Sequence, residues 1–323
     1  MKIRTRELCE LYIFAEFRVL ILDVSPNVTD ILPLSGWTCA MKRLRAWPEM
    51  TKSIINGIKR CAWHRVLYHW KIKKPLSMQP TGQIFMEKTR YSSLSRADQF
   101  QGFPAPSLEK SIPKDGKLIS LPRPAKISVP PLDLRSAIES RRSIRQYASD
   151  SLTLEELAYL LWCTQGIVQK HEPYATFRNV PSAGGRHAFE TYLLVNQVNG
   201  LEPGLYRYLA FSHRLLIMET SPDIADRLTE ACLRQNIVRD SAVTFIWSCV
   251  IYRMAWRYSE RAYRLVLLDA GHVCQNLYLA AEQLNCGVCA IGAFDDELIA
   301  GLLGIDVVDE FVIYCATVGK KVH

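Results

Sequence analysis

Apolar positions between residues 132 and 323 follow helical and strand periods in turn. Leu132 to Ser140 has helical spacing, and Thr153-Leu154-Glu155-Glu156 offers Thr153 as N-cap with Glu156 three residues on. An apolar face then runs from Leu157 to Trp162, and Gly166 stops the helix. Three strand-like runs follow, Thr191 to Asn196, Gly204 to Leu209 and Arg214 to Met218, separated by turn formers, which predicts neighbouring antiparallel strands. Ser221-Pro222 predicts a helix start, with Ser as cap and Pro in the first turn. Ala242 to Ile251 is a nearly continuous apolar strand of the kind buried on both faces. Leu265 to Leu284 is a long helix, apolar on most of its circumference, so it belongs at the centre or at an interface. Gly287 to Phe294 and Glu310 to Gly319 are the final loop-strand pieces, with Asp295 to Leu303 a short helix between them. The order predicts an α+β domain whose mixed sheet is covered by helices.

Upstream the periods fail. Phe103 to Pro131 holds Pro104, Pro106, Pro113, Pro122, Pro124, Pro130 and Pro131, so neither a helix nor an inner strand can continue. Three parts result: a basic extension over 1–77, a Pro-rich arm or linker over 78–131, and the domain over 132–323. In the extension, Met50 to Trp70 could form a basic amphipathic helix, but the four tryptophans there follow no sustained period. Its alternatives are a membrane-surface or nucleic-acid arm, a poorly ordered extension, and residues upstream of the true start, with Met78 or Met86 as initiator.

Composition narrows the class. The chain has 323 residues, 49% hydrophobic and 22% charged, enough to bury a core. Residues 1–75 carry 14 Lys+Arg against 6 Asp+Glu, whereas the rest is balanced at 26 and 26. The basic excess is therefore no argument that the main body binds nucleic acid. Ten scattered cysteines, several within apolar runs, point to a reducing cytoplasm rather than a disulfide framework. Leu11 to Val24 is broken by Glu16, Arg18 and Asp23, which argues against a signal peptide and a membrane span.

Four places could carry chemistry. Arg141-Arg142-Ser143-Ile144-Arg145 sets three guanidiniums and a hydroxyl where they could grip a phosphate, although arginines after a helix also complement its dipole. Pro181-Ser182-Ala183-Gly184-Gly185-Arg186-His187 would let a flat ligand approach the backbone, or is a tight loop before a strand with His187 a structural hydrogen-bonder. Ala290 to Asp296 could present amides to a ligand, with Asp295 as an N-cap in the plainer reading. Lys320-Lys321 could clamp a phosphate or form a charged tail. No G-x-G-x-x-G follows a strand and no P-loop exists. Cys286-Gly287-Val288-Cys289 is a lone C-x-x-C without a second pair, so no metal is expected.

Taken in order, these motifs, with Trp256-Arg257-Tyr258-Ser259-Glu260-Arg261-Ala262-Tyr263-Arg264 and Leu268-Asp269-Ala270-Gly271-His272 through Gln275-Asn276-Leu277-Tyr278, resemble the nitroreductase superfamily over residues 80 to 323. Within it, the match is similar to the SagB-type dehydrogenase branch, which includes the azoline oxidases of thiazole and oxazole peptide biosynthesis. The resemblance implies a three-layer α-β-α sandwich with a mainly antiparallel sheet, and an FMN-dependent oxidoreductase working as an intertwined homodimer with flavins at the interface. It gives Arg141, Arg142, Ser143 and Arg145 to the FMN phosphate and ribityl chain, with Arg145 nearest the N1/O2 edge. Pro181, Ser182, Ala183, Gly184 and Gly185 would line the flavin from the partner subunit, Ile291 and Gly292 would face it through the backbone, and Lys320 or Lys321 would complete the phosphate grip. Many nitroreductases carry Glu where Gly292 stands.

The implied reaction is hydride transfer from NAD(P)H or an organic substrate to flavin N5, by a ping-pong mechanism. The azoline oxidases use a Lys-Tyr pair where this chain has Arg257-Tyr258. Arg stays protonated, so Arg257 can orient but hardly abstract a proton, and Tyr258 is left as the proton relay. Azoline peptide dehydrogenation beside a cyclodehydratase partner is the alternative enzyme. A flavin-binding interaction protein without turnover is the alternative outside enzymes.

Overall fold

The computed structural model describes residues 79–322. The expected extension over 1–77, with its Met50–Trp70 helix, lies outside the described residues, and residues from Pro80 onward form one unit.

Local signals set most element starts. Helix α3 spans Leu134–Ser140, after helices α1 (Thr81–Lys88) and α2 (Asp98–Gln101), and is capped by Asp133, which accepts from the Ser136 amide at 2.9 Å. Helix α4, Leu154–Gln165, opens on a complete capping box: the Glu156 amide donates to Thr153 Oγ1 at 3.1 Å and the Thr153 amide to Glu156 Oε2 at 2.9 Å. Helices α5 (Ile224–Ala231) and α6 (Ile237–Asp240) lead to α7 (Tyr252–Tyr258), the long α8 (Ala262–Gln283) and α9 (Asp296–Leu303). Asp295 caps α9 by accepting from the Leu298 amide at 2.9 Å, the plainer of its two expected roles. Ser221 does not cap α5. Asp223 holds the cap position, and the Ser221 hydroxyl turns back to Glu219.

The sheet has seven strands: β1 (Leu118–Ser120), β4 (Phe189–Val195), β5 (Gly204–Leu209), β6 (Arg214–Glu219), β7 (Val243–Val250), β8 (Cys286–Ile291) and β9 (Glu310–Lys320). Their order is β1-β6-β5-β4-β7-β9-β8, and every neighbouring pair is antiparallel. Parallel pairing is confined to single bridges such as Ser143 to Val288. Strands β2 (Ile167–His171) and β3 (Ala175–Arg178) form a separate hairpin that the apolar pattern does not announce.

Alternation along the strands feeds two cores. Leu193 and Val195 of β4 pack with Leu157, Leu160 and Leu161 of α4 and with Val266, Val273 and Leu277 of α8. Tyr192 and Leu194 face the other way, toward Ile224 and Leu228 of α5 and Ile299 and Leu303 of α9. Helices therefore cover both sides of the sheet, giving three α-β-α layers. Each wholly buried leucine contributes about 1.5–3 kcal/mol relative to exposure. Helix α8 is not buried all round: the apolar Leu267 and Leu268 are 57% and 62% exposed, and Gly271, His272 and Gln275 continue that open face.

The Pro-rich segment is more structured than an arm or linker. Besides α1 and α2 it supplies β1, an edge strand, which is where a chain with scattered prolines can join a sheet. Residues 86–107 lie as a strap antiparallel to α7 and the start of α8, held by a row of side-chain donors. Arg253 Nε reaches Ser107 O at 2.7 Å, Trp256 Nε1 Phe103 O at 2.9 Å, Arg257 Nε Gln99 Oε1 at 2.9 Å and Arg261 NH1 Thr89 O at 3.1 Å. Arg264 closes the row on Thr89 Oγ1 at 2.5 Å and on Met86 O. Among the described residues no helix is long and apolar enough to cross a membrane.

Candidate functional site

The arginine-rich segment leaves α3 and runs beside the edge strand β8. Ser143 bridges Val288, and the Ile144 amide donates to Val288 O at 2.9 Å. Two glycines permit this approach: a Cβ on Gly287 would lie 2.5 Å from Ile144 Cβ, and one on Gly319 would lie 2.6 Å from the Tyr147 ring. Tyr278 of α8 fastens the segment. Its hydroxyl accepts from the Ala290 amide at 3.0 Å and shares a hydrogen bond with Ser143 Oγ at 3.1 Å, while the Arg141 guanidinium sits 5.2 Å from its ring centre. Arg142 NH1 donates to the Glu139 and Arg141 carbonyls, each at 2.8 Å, and Arg145 is exposed.

At the end of β8, Ile291 is buried and Gly292 is exposed, with nothing within 4 Å of where its Cβ would stand. Lys320 and Lys321 reach the Arg141 end of the sheet, but their ammonium groups are taken. Lys320 Nζ pairs with Glu156 at 2.5 Å and donates to Leu284 O at 3.2 Å; Lys321 Nζ pairs with Glu282 at 2.7 Å. The donor set open to an anion here is therefore guanidinium and hydroxyl, and it suits a phosphate.

A second group gathers around Pro181 to Gly185. Asp269 of α8, 4% exposed, accepts from Ser182 Oγ at 2.6 Å and from the Ala183 amide at 3.3 Å. Burial raises its pKa, and those two hydrogen bonds partly oppose the rise. The Ser182 hydroxyl oxygen in turn accepts from the His187 amide at 3.0 Å. Burial, and then the Arg178 charge, push the His187 imidazole down to about 3, so it is a neutral structural ring. Gly184 adopts φ 60°, and a Cβ there would come 2.5 Å from Tyr258 OH and 2.8 Å from Arg257 NH1. Arg257 NH1 donates to Gly184 O at 2.8 Å. The loop and the expected catalytic pair thus form one surface, which glycine makes possible.

A family model described as the nitroreductase family matches residues 138–320, more than half of the chain. The chain belongs to the nitroreductase family. It is therefore an oxidoreductase by family. A Methanocaldococcus jannaschii protein named as a nitroreductase is 32% identical over 192 residues, covering 59% of this chain and 93% of its own length. The trifolitoxin-processing protein TfxB of Rhizobium leguminosarum biovar trifolii is 30% identical over 165 residues, 49% of this chain and 44% of TfxB. Among solved structures, an Anabaena variabilis protein named as a nitroreductase is 31% identical with a TM-score of 0.52, covering 65% of this chain and 42% of that one. This nitroreductase-family chain thus spans less than half of the length of the latter two. A Ralstonia eutropha structure, 21% identical with a TM-score of 0.53 over 68% of this chain and 95% of its own, shares the fold.

Within one copy of this family member the two groups are not adjacent. Asp269 anchors the Gly184 loop and Tyr278 anchors the arginine segment, nine positions apart on α8. That spacing is roughly 14 Å along the axis and half a turn around it. Asp269, Tyr278, Arg186 and Gln99 have no role in the sequence reading. Asp269 and Tyr278 stand inside quoted motifs, Arg186 follows the glycine pair, and only Gln99, in the Pro-rich segment, carries no local signal.

Proposed function

We propose that this chain is an FMN-dependent oxidoreductase that moves hydride between NAD(P)H or an organic substrate and the flavin by a ping-pong mechanism, as a homodimer. The observation that carries the reading is the arginine segment pinned beside β8 by Tyr278, whose hydroxyl also holds the Ala290 amide two residues before the exposed Gly292. Bound FMN would supply a hydride acceptor and donor at its ring.

This chain's residues have the following parts. Arg141, Arg142, Arg145 and Ser143 bind the phosphate and ribityl chain. Lys320 and Lys321, engaged by Glu156 and Glu282, brace the wall and leave the phosphate grip to the arginine segment. The backbone at Ile291 and Gly292 leaves a flat ring room to approach. Pro181 to Gly185, held by Asp269, come from the second copy, in keeping with the distance between the two groups along α8 and with the open face at Leu267 and Leu268. Tyr258 moves a proton at its hydroxyl, and Arg257 orients the substrate. The seven free cysteines among the described residues suit a reducing compartment, the cytoplasm.

Similarity to TfxB favours a second reading, a SagB-type dehydrogenase acting on azoline rings of a peptide. Arg257 in place of lysine weighs against it, because a guanidinium does not serve as a base.

Anaerobic mixing with NADH or NADPH tests the proposal. Bleaching of a yellow protein, then return of colour on adding a quinone, is expected. A full-length protein that takes up no added FMN, or whose flavin neither nicotinamide bleaches, contradicts the nicotinamide-linked reading.

A further inference from the structure

Two guanidiniums lie against one indole without a counter-charge. Arg186 and Arg257 stand 4.9 Å and 5.8 Å from the Trp256 ring centre, and among the described residues neither pairs with a carboxylate. Arg186 is fully buried: Nε donates to Arg253 O at 2.7 Å, NH1 to Tyr174 O, and NH2 has no partner among the described residues. Arg257 spends Nε on Gln99 and NH1 on Gly184 O, and no described residue accepts from its NH2. The nearby Arg253, by contrast, is neutralised by Glu190 at 2.6 Å. Burial first, and then the Arg257 and Arg253 charges, hold Arg186 down to about 10, so it stays cationic at neutral pH. Carbonyl oxygens and an aromatic face offset buried positive charge only in part.

The surface formed by Gly184, Arg257 and Tyr258 thus carries one half-buried cation, with a second, buried cation against the same indole. Arg257 is half-buried, already aimed by two hydrogen bonds, and next to the half-buried Tyr258 hydroxyl across the glycine turn. The NH2 group of Arg257 and the Tyr258 hydroxyl match the two oxygens of a carboxylate, whereas the arginine segment near Tyr278 is the richer donor set that suits a phosphate.

We propose that Arg257 and Tyr258 receive a carboxylate of the second substrate, that Gln99 of the strap is the positioning residue that aims Arg257, and that Arg186 reinforces the positive field from its place against Trp256. The substrate class is an organic carboxylate. This inference rests on the oxidoreductase reading of the same site, but its test needs no turnover.

Benzoate and its neutral isostere benzamide are titrated calorimetrically into the full-length protein at low salt. Benzoate is expected to bind at least about tenfold more tightly, since hydrogen bonds to a charged group contribute about 1.5–3 kcal/mol each. In Arg257→Met the ratio should fall below about threefold, with Arg257→Lys and Gln99→Leu in between, because a lysine keeps the charge and loses the fork. Melting temperature and flavin content of each variant report its folding. Equal binding of the two probes, or a preference that survives Arg257→Met in a folded protein, would each overturn the assignment. If nicotinamide bleaches the flavin while the probes bind equally, only this inference fails. If the preference stands but no flavin binds, only the redox reading fails.

Discussion

At the scale of single residues, burial decides which candidates keep a charge. His187 is 4% exposed at a positive φ of 43° and is held neutral by burial and by Arg178. With a folded value of about 3 against an ordinary 6.5, the folded protein binds fewer protons than the unfolded chain between those pH values. Its contribution is therefore full above pH 6.5 and drains as pH falls, by about 1.4 kcal/mol per pH unit from this group. His187→Asn, which tolerates the left-handed backbone, should flatten that loss in urea titrations at stepped pH. An acid dependence unchanged by the substitution would show that the ring does not titrate this way. Asp269 is the opposite case, a buried carboxyl whose pKa is raised, and its two loop donors keep it as the anchor of Pro181 to Gly185.

At the scale of elements, the strap is the part the molecule depends on most unexpectedly. A chain beginning at Met78 should melt cooperatively with the full chain's midpoint. One beginning at Leu132 leaves Arg253, Trp256, Arg261 and Arg264 without their acceptors, at about 1–3 kcal/mol for each unsatisfied group, and should lose soluble, cooperative folding. Equal melting of the two chains would make the strap an ornament. Locally encoded features were legible in the sequence. The Thr153 to Glu156 capping box, the β5 boundaries and the Asp295 cap all depend on residues within a few positions of one another. The strap was not legible, because its prolines announce only what cannot form and its hydrogen bonds join residues more than a hundred positions apart. The same reason hid the pairing of Lys320 with Glu156, which ties down a residue that the sequence offers as a second phosphate clamp or a charged tail. Ser221 misled because Glu219, two residues away, competes for its hydroxyl.

At the scale of the whole molecule, α8 organises everything proposed. It packs one side on the sheet, anchors the Gly184 loop through Asp269, fastens the arginine segment through Tyr278 and leaves Leu267 and Leu268 open. The candidate site residues were legible as motifs, but their division into two groups, one near each of those anchors, depends on where a single long helix runs, which no short motif states. The proposed function brings the two groups to one cofactor through a second copy. Native mass spectrometry of the full-length protein, after addition of FMN and removal of the excess, tests this most directly. The account predicts two 36.9 kDa chains carrying two FMN molecules, with free monomer devoid of flavin. A monomer that retains FMN, or a dimer that holds none, would contradict it.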